Sequence, residues 1–357
     1  MKRNYIFLPS GLHACFAVIL FCLSLGSTFA QDVHFSQYYN APMTVNPALT
    51  GVFDGVVRVC NSYRSQWSPI GEGFKTIQLS VDAPLGKTKL DNRYFGVGLQ
   101  LYQDKAGVAE FRRTIAEASL SYTTALEDAG MHWLSIGFQG GLNQLSIDMS
   151  KATWDEQWNG DQLDPSIPTS EKIQLPKFSH LNLNAGVNYL YTPDGFNSAS
   201  AGISLSHIGS PNATFFPVTE ENPLRSRISV HGSGEISLDD ERIMFFNPRV
   251  LMQLQGKQKE LVAGGYFRNR LRFKSLYTGF QKQIFFDLGA FYRMNESLIV
   301  SSRLEYHSVA VGVSYDLGVG KLSSLSAANS WEIGISYVAP VERGQRVRHK
   351  NKMPRFL

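Results

Sequence analysis

Ser206 and His207 stand side by side, the residue types from which a hydrolytic nucleophile and its general base are built. Within a strand, neighbouring side chains point to opposite faces, so the two are not expected to meet. His34, His132, His180, His231 and His307 are scattered, with no His-x-x-x-His or Glu-x-x-His spacing that would gather zinc ligands. Surface or lumen histidines account for them better. The most acidic stretch runs from Trp154 to Asp164. Asp155, Glu156, Asn159, Asp161 and Asp164 offer oxygen ligands to calcium, but their spacing is not that of an EF-hand loop. Solvated loop polarity is the simpler account. Trp154 and Trp158, with Asp155 and Glu156 between them, are more informative, because exposed tryptophans anchor protein partners. Those four residues form a candidate partner-binding set. No catalytic, cofactor-binding or metal-ligating residue is singled out, so no enzyme and no cofactor is expected.

Arg303 and Glu305 lie two apart with Ser301, opposite in facing to Leu304 and Tyr306. That arrangement turns the charges inward, to pair with each other or with neighbouring strands. A selectivity element in an open pore is the alternative. The elements that would position these groups are legible in the chain's rhythm. Leu181 to Tyr189 is apolar at every odd position and polar or glycine at every even one. The pattern returns at Phe95–Tyr102, Leu134–Asn143, Val309–Asp316 and Trp331–Tyr337. Segments of about ten residues, apolar outside and polar inside, are what an outer-membrane β-barrel requires.

The chain has 357 residues, 43% of them hydrophobic, and a mean hydropathy of −0.15. Beyond the first thirty residues nothing reaches the roughly 18 consecutive apolar residues of a membrane helix. Residues 1–30 read as a signal peptide: Lys2 and Arg3, an apolar run from Leu12 to Leu25, and Thr28-Phe29-Ala30 before the expected cut. Cys22 follows bulky Phe21, and Cys15 has too little apolar sequence ahead of it, which argues against a lipoprotein. Cleavage removes two of the 34 basic residues and none of the 30 acidic ones, leaving a net charge of +2. That balance does not suggest a nucleic-acid partner. It also leaves Cys60 alone, which excludes a disulfide within the mature chain.

Fourteen strands are expected, near 55–64, 73–82, 93–103, 112–124, 132–146, 180–190, 198–207, 226–237, 243–255, 259–270, 284–293, 297–306, 308–317 and 330–339. An even number of such strands closes into an all-β, antiparallel transmembrane barrel with no edge exposed to lipid. A soluble β-sandwich alternates too. Against it stand the strand count and the aromatic residues at strand ends, where interfacial girdles belong: Tyr94, Tyr102, Trp133, Tyr189, Phe291, Tyr292, Tyr306, Trp331 and Tyr337. In-strand Gly96, Gly98, Gly186, Gly264, Gly265 and Gly312 are read as relieving crowding and allowing curvature. With the first strand starting in the periplasm, 147–179 and 208–225 are long external loops. The 271–283 connection is then awkwardly long for a periplasmic turn.

The expected organisation is thus a signal peptide (1–30), a non-strand segment (31–54), a barrel (55–340) and a basic tail (341–357). The non-strand segment carries two prolines and asparagine-rich turns, and could plug the lumen or dock on a periplasmic partner. His34, Phe35, Tyr38 and Tyr39 within it join the candidate partner-binding residues. The tail carries six basic residues from Arg343 to Arg355 against Glu342, as solvated disorder or a handle for an acidic partner.

The same segment carries a resemblance. His34-Phe-Ser-Gln-Tyr-Tyr39, Ala41-Pro42, Asn46-Pro47-Ala48 and Thr50-Gly51 resemble the opening of the PorP/SprF family of type IX secretion system membrane proteins. The likeness continues through Tyr63-Arg-Ser-Gln-Trp67, Asp104-Lys-Ala-Gly107, Ser204-Leu-Ser-His207, Gly264-Gly-Tyr266, Arg303-Leu-Glu-Tyr306 and the final Trp331–Tyr337 strand. Ser62 and the basic tail depart from the pattern. The resemblance implies an integral outer-membrane barrel, non-enzymatic, that supports export or surface attachment of secreted proteins, including gliding adhesins. It implies partners among the type IX components, a periplasmic OmpA-like peptidoglycan-binding lipoprotein, a secreted client and outer-membrane lipid. An outer-membrane porin or substrate-specific transporter is the alternative.

Overall fold

The structure is a computed structural model that describes residues 32, 34–67, 73–87, 92–164, 166–168, 176–211, 223–272, 283–319 and 329–340. The expected signal peptide and basic tail lie outside the described residues, as does most of the long 271–283 connection. The described residues from His34 to Pro340 belong to one compact unit.

Fourteen strands form one closed antiparallel barrel. They are β1 (Val57–Gln66), β2 (Phe74–Leu85), β3 (Arg93–Ala106), β4 (Phe111–Ala125), β5 (His132–Ser146), β6 (Lys177–Tyr191) and β7 (Ser198–Ser206). The second half supplies β8 (Arg227–Ser237), β9 (Met244–Gln255), β10 (Gln258–Arg272), β11 (Ile284–Arg293), β12 (Ser297–Tyr306), β13 (Val309–Gly318) and β14 (Ser330–Ala339). Each strand pairs with its sequence neighbours, and β1 closes the wall against β14, from Val57 opposite Ala339 to Gln66 opposite Ser330. Closure leaves the sheet without a free edge, the condition for crossing hydrocarbon. No helix among the described residues is long and apolar enough to cross a membrane.

The side-chain period of two sorts the wall into two chemistries. Outward positions hold residues such as Leu99, Phe138, Leu304 and Ile333, all exposed to the surroundings. Inward positions hold Gln78, Gln100, Asn143, Asn188, Ser229, Ser314 and Glu332, all buried. Tyr189, Tyr292, Tyr306, Trp331 and Tyr337 face outward as girdle residues should. Tyr94, Trp133 and Phe291 do not: each is at most 3% exposed and turns inward. Tyr94 shares parity with buried Gln100, and its ring packs with Trp133, Leu190 and Val52. Tyr102 also faces in, onto a cavity. The turn at 126–131, the connection 192–197 and both chain-terminal strand ends lie at one end of the barrel, the terminal end. The 107–110 turn and the long 147–176 and 207–226 connections lie at the far end.

Candidate functional site: a filled lumen and a long loop

Residues 34–56 contain no strand. They make three short helical turns, Tyr38–Asn40, Pro42–Val45 and Pro47–Leu49; Pro42 and Pro47 open the last two, fixing φ at a first turn and supplying no ladder donor. The segment lies inside the barrel and runs from the far end to the terminal end. At the far end, Glu332 of β14 accepts the backbone N–H groups of Ser36 (2.7 Å) and Gln37 (3.2 Å). Ser36 Oγ donates to Asp316 of β13 at 2.6 Å. Asp316 is held in turn by Arg64 of β1 (3.0 Å) and Arg293 of β11 (3.2 Å). Arg293 also reaches Glu260 of β10 at 3.1 Å, and His34 Nδ1 meets the same carboxylate at 2.5 Å. Arg64 donates to the His34 carbonyl as well.

Farther in, Asn40 Nδ2 donates to the Asn61 carbonyl (2.8 Å) and to Ser62 Oγ (2.9 Å). Asn46 Nδ2 donates to the Val187 carbonyl at 3.0 Å, and its Oδ1 accepts from Ala48 N, so one side chain caps its own turn and grips β6. At the terminal end, Ser135 and Ser121 donate to the Ala48 and Thr50 carbonyls, each at 2.6 Å. Gly51 N donates to Asp82 at 2.7 Å, and Asp82 is paired twice with Arg58 (2.9 and 2.8 Å). Such buried charges need partners, and Arg58 and Asp82 supply each other's.

The apolar part of the segment is equally engaged. Phe35, Tyr38, Ala41 and Val45 cluster with Leu251, Val262, Tyr266, Phe291 and Ile299, and Tyr39 packs against them. The Tyr39 hydroxyl hydrogen-bonds that of Tyr266. Of the candidates in this segment, Phe35 and Tyr38 are therefore buried, Tyr39 is half-buried, and His34 is partly open. The inner-wall glycines have a further role here. A Cβ on Gly137 would stand 2.4 Å from the Ala48 nitrogen and the Pro47 carbonyl, and one on Gly96 would stand 2.2 Å from the Thr50 oxygen. Beyond allowing curvature, they admit a second backbone against the wall.

Arg303 and Glu305 face the lumen, and neither uses the other. Arg303 pairs with Asp287 at 3.7 Å, and Glu305 with Arg268. Ser206 and His207 overturn the expectation of opposite facing, since both are buried. β7 ends at Ser206, and His207 adopts a left-handed φ of 58°, so the alternation lapses there. His207 Nδ1 bonds Asn182 at 2.6 Å, while Ser206 Oγ accepts from Arg227 at 3.4 Å.

The far-end loop is tied down by Glu110. Its carboxylate meets Lys105 (2.8 Å), Arg112 (2.9 Å) and Lys151. Hydrogen bonds from Lys105 and Lys151 hold its carboxyl down at about 2. Asp148 N donates to the Ala109 carbonyl at 2.9 Å, so the 107–110 turn and the loop's start are one unit. Beyond it, Asp155–Gln157 form one helical turn. Gln157, which the sequence reading passed over, is buried; its Nε2 donates to the Ile167 carbonyl at 3.1 Å. Around it Trp154 is half-buried, Asp155 and Glu156 are exposed, and Trp158 is 55% exposed. Asn159 and Asp164 spend their Oδ1 atoms on backbone N–H groups of Asp161, Gln162 and Ser166. Among the described residues no group of three His, Cys, Asp or Glu side chains converges as a metal site.

A closed wall of fourteen antiparallel strands, apolar outside and polar inside, defines an outer-membrane β-barrel. The model of one family, "Type IX secretion system membrane protein PorP/SprF", matches residues 27–337. The chain belongs to this family and is an outer-membrane component of type IX secretion. No curated protein matches the sequence. Among solved structures, the toluene transporter TbuX of Ralstonia pickettii is 10% identical, covering 85% of this chain and 94% of its own, with a TM-score of 0.47. A deletion mutant of the TodX monoaromatic hydrocarbon channel gives 10%, 85%, 94% and 0.45. BamA from Haemophilus ducreyi, lacking POTRA domains 1–3, gives 9%, 79%, 70% and 0.39.

Proposed function

We propose that the chain is a non-enzymatic scaffold within the type IX apparatus. In this reading residues 1–30 are removed on export, 31–54 plug the lumen, 55–340 form the membrane wall, and 341–357 serve as a periplasmic handle. Bacterial barrels keep short turns in the periplasm, which would put the terminal end there and the Trp154–Trp158 loop outside. That loop, through Trp154, Asp155, Glu156 and Trp158, would hold a secreted client destined for export or surface attachment. Periplasmic segments would couple to the envelope machinery, including an OmpA-like peptidoglycan-binding lipoprotein.

The observation that carries the scaffold over the porin is the hydrogen-bonded fit of residues 36–51 to the inner wall from one end to the other. A conducting channel needs an open aqueous path, and the fit of this segment along the lumen argues against one. Reconstitution in planar bilayers tests it: the intact protein should pass no steady current, and deletion of 34–53 should open one. A robust current from the intact protein would instead make it a porin. Affinity purification from native membranes should recover a secreted protein and an OmpA-like lipoprotein. Deleting 150–175 should leave the barrel folded and abolish client display; unchanged display rejects the loop assignment.

A further inference from the structure

One row of the outer wall is basic. At the far end of β2 to β6, Lys75 stands opposite Lys105, Lys105 opposite Arg112, Arg112 opposite Ser146, and Ser146 opposite Lys177. Lys75 and Lys177 are exposed, and Lys105 and Arg112 are half-buried. Four residues farther down the same strands lie Leu79, Leu101, Leu142 and Leu181, which share the parity of the row and are exposed to the surroundings. The bases therefore point away from the lumen, at the border of the apolar band. Between the two rows come Ile77, Gln103, Thr114, Gln144 and Ser179. In β11 to β14 the outward residues at this end are Tyr292, Leu298, Leu317 and Trp331. The row thus belongs to one side of the barrel and not to the rim as a whole.

Acidic side chains among the described residues do not balance this corner. Glu110 meets Lys105, Arg112 and Lys151 at once, and Asp148 lies 3.9 Å from Lys151. With Lys75 and Lys177, five cations stand there with two carboxylates. Asp104 turns inward and accepts from Thr76 at 2.6 Å. Beneath the row the same strands are hollowed by a groove of about 790 Å³. Leu99, Leu120, Phe138 and Leu183 form its sides, and the small residues Ala118 and Gly140, opposite each other, form its floor. Those side chains have the outward parity, so the groove opens to lipid. From Gly140 to Ser146 the strand runs roughly 20 Å.

We propose that this side of the barrel binds a phosphorylated glycolipid of the outer leaflet, its phosphates on Lys75, Lys105, Arg112 and Lys177 and an acyl chain in the groove. The proposal rests on the placement of the far end outside the cell. Ammonium and guanidinium groups donate charge-assisted hydrogen bonds to phosphate oxygens, while the lysine stems lie along the apolar wall. Charge and hollow together call for an occupant with an anionic head and an apolar body. Free phosphate would use the row and leave the groove empty, and a neutral lipid would do the reverse.

The test titrates the purified full-length protein in detergent with phosphorylated lipid A and reads binding by native mass spectrometry. Binding to the wild type should saturate, and lipid A stripped of its phosphates should bind about tenfold more weakly or worse. Lys75→Gln with Lys177→Gln leaves the Glu110 pairs in place. It should lower the affinity about 25-fold, at roughly fivefold for each lysine beside an anionic surface. Lys257→Gln with Lys259→Gln removes the same charge from exposed positions on the β9–β10 side of that end and should change nothing. Ala118→Phe fills the groove and should weaken binding with the row intact. Equal affinities for the two double variants, or for lipid A with and without phosphate, would overturn the proposal, and the second comparison needs no variant to fold. Tighter binding of phosphatidylglycerol than of lipid A would overturn the glycolipid assignment. Labelling of Trp158→Cys on intact cells by a membrane-impermeant maleimide reads the orientation separately. No labelling would overturn the external placement, even with lipid binding as expected.

Discussion

Replacing Gly96 by alanine, beside the same change at Gly98, isolates what the inner-wall glycines do. Both lie on β3 and face the lumenal segment, two residues apart. A Cβ at Gly96 would stand 2.2 Å from the Thr50 carbonyl oxygen and 2.3 Å from Ser121 Oγ. A carbon–oxygen contact needs roughly 3.3 Å, so the Thr50 carbonyl must retreat by about 1 Å. That movement breaks the 2.6 Å bond from Ser121 and strains the 2.7 Å bond from Gly51 N to Asp82. Forcing a methyl into a packed site costs about 1–3 kcal/mol, and a lost neutral hydrogen bond about 1 kcal/mol more. Gly96→Ala should therefore destabilise by about 2–4 kcal/mol. At Gly98 the nearest atom is Met43 Sδ at 2.6 Å. A thioether can swing aside, so Gly98→Ala should cost less than about 1.5 kcal/mol. Urea unfolding in lipid vesicles measures both, and amide exchange should rise at Gly51 and Val52 in Gly96→Ala alone. Two alanines of equal effect, or unchanged exchange at Gly51, would refute the steric argument.

Asp82→Asn removes the charge that Arg58 grips twice, and both side chains are at most 3% exposed. A stranded buried guanidinium should cost about 3–5 kcal/mol in denaturant titration. Glu110 sets a pH response at the far end. Its carboxyl is lowered from 4.5 to about 2 in the folded state, so its contribution is present above pH 4.5 and fades as the pH falls through 2. Exchange at the Asp148 amide should rise across that window, and Glu110→Gln should abolish the dependence. Trp158→Ala removes an exposed ring. It should leave the unfolding midpoint unchanged while lowering client retention in a pull-down.

The wall was legible because a period of two is the whole grammar of a barrel strand. β5, β11, β12 and β14 have the expected bounds, and the other strands lie within three residues of theirs. The girdle assignment erred where it relied on residue type instead of parity. Tyr94 alternates with Phe95, so it faces in, and Val52 meets it there. His207 escaped the period for a local reason, a left-handed turn at the strand's end that no side-chain pattern announces. Gln157 carried no signal at all, because a neutral amide becomes a loop's centre only once the loop has closed around it.

What fills the lumen was not legible, and the reason lies in the distances along the chain. Ser36 meets Asp316 across 280 residues, and Arg64 meets the same carboxylate across 252. Alternation says which side chains face inward, not which of them become neighbours across a lumen. The glycines held part of the answer. Curvature alone would spread them along the wall, whereas Gly96 and Gly98 lie under Thr50 and Met43, Gly137 under Pro47, and Gly312 under Gln37. These four inward glycines therefore mark where the lumenal segment comes closest, whereas Gly141 and Gly264 meet the neighbouring wall strands instead. The four follow the residues between Gln37 and Thr50, the same stretch whose prolines barred it from the wall.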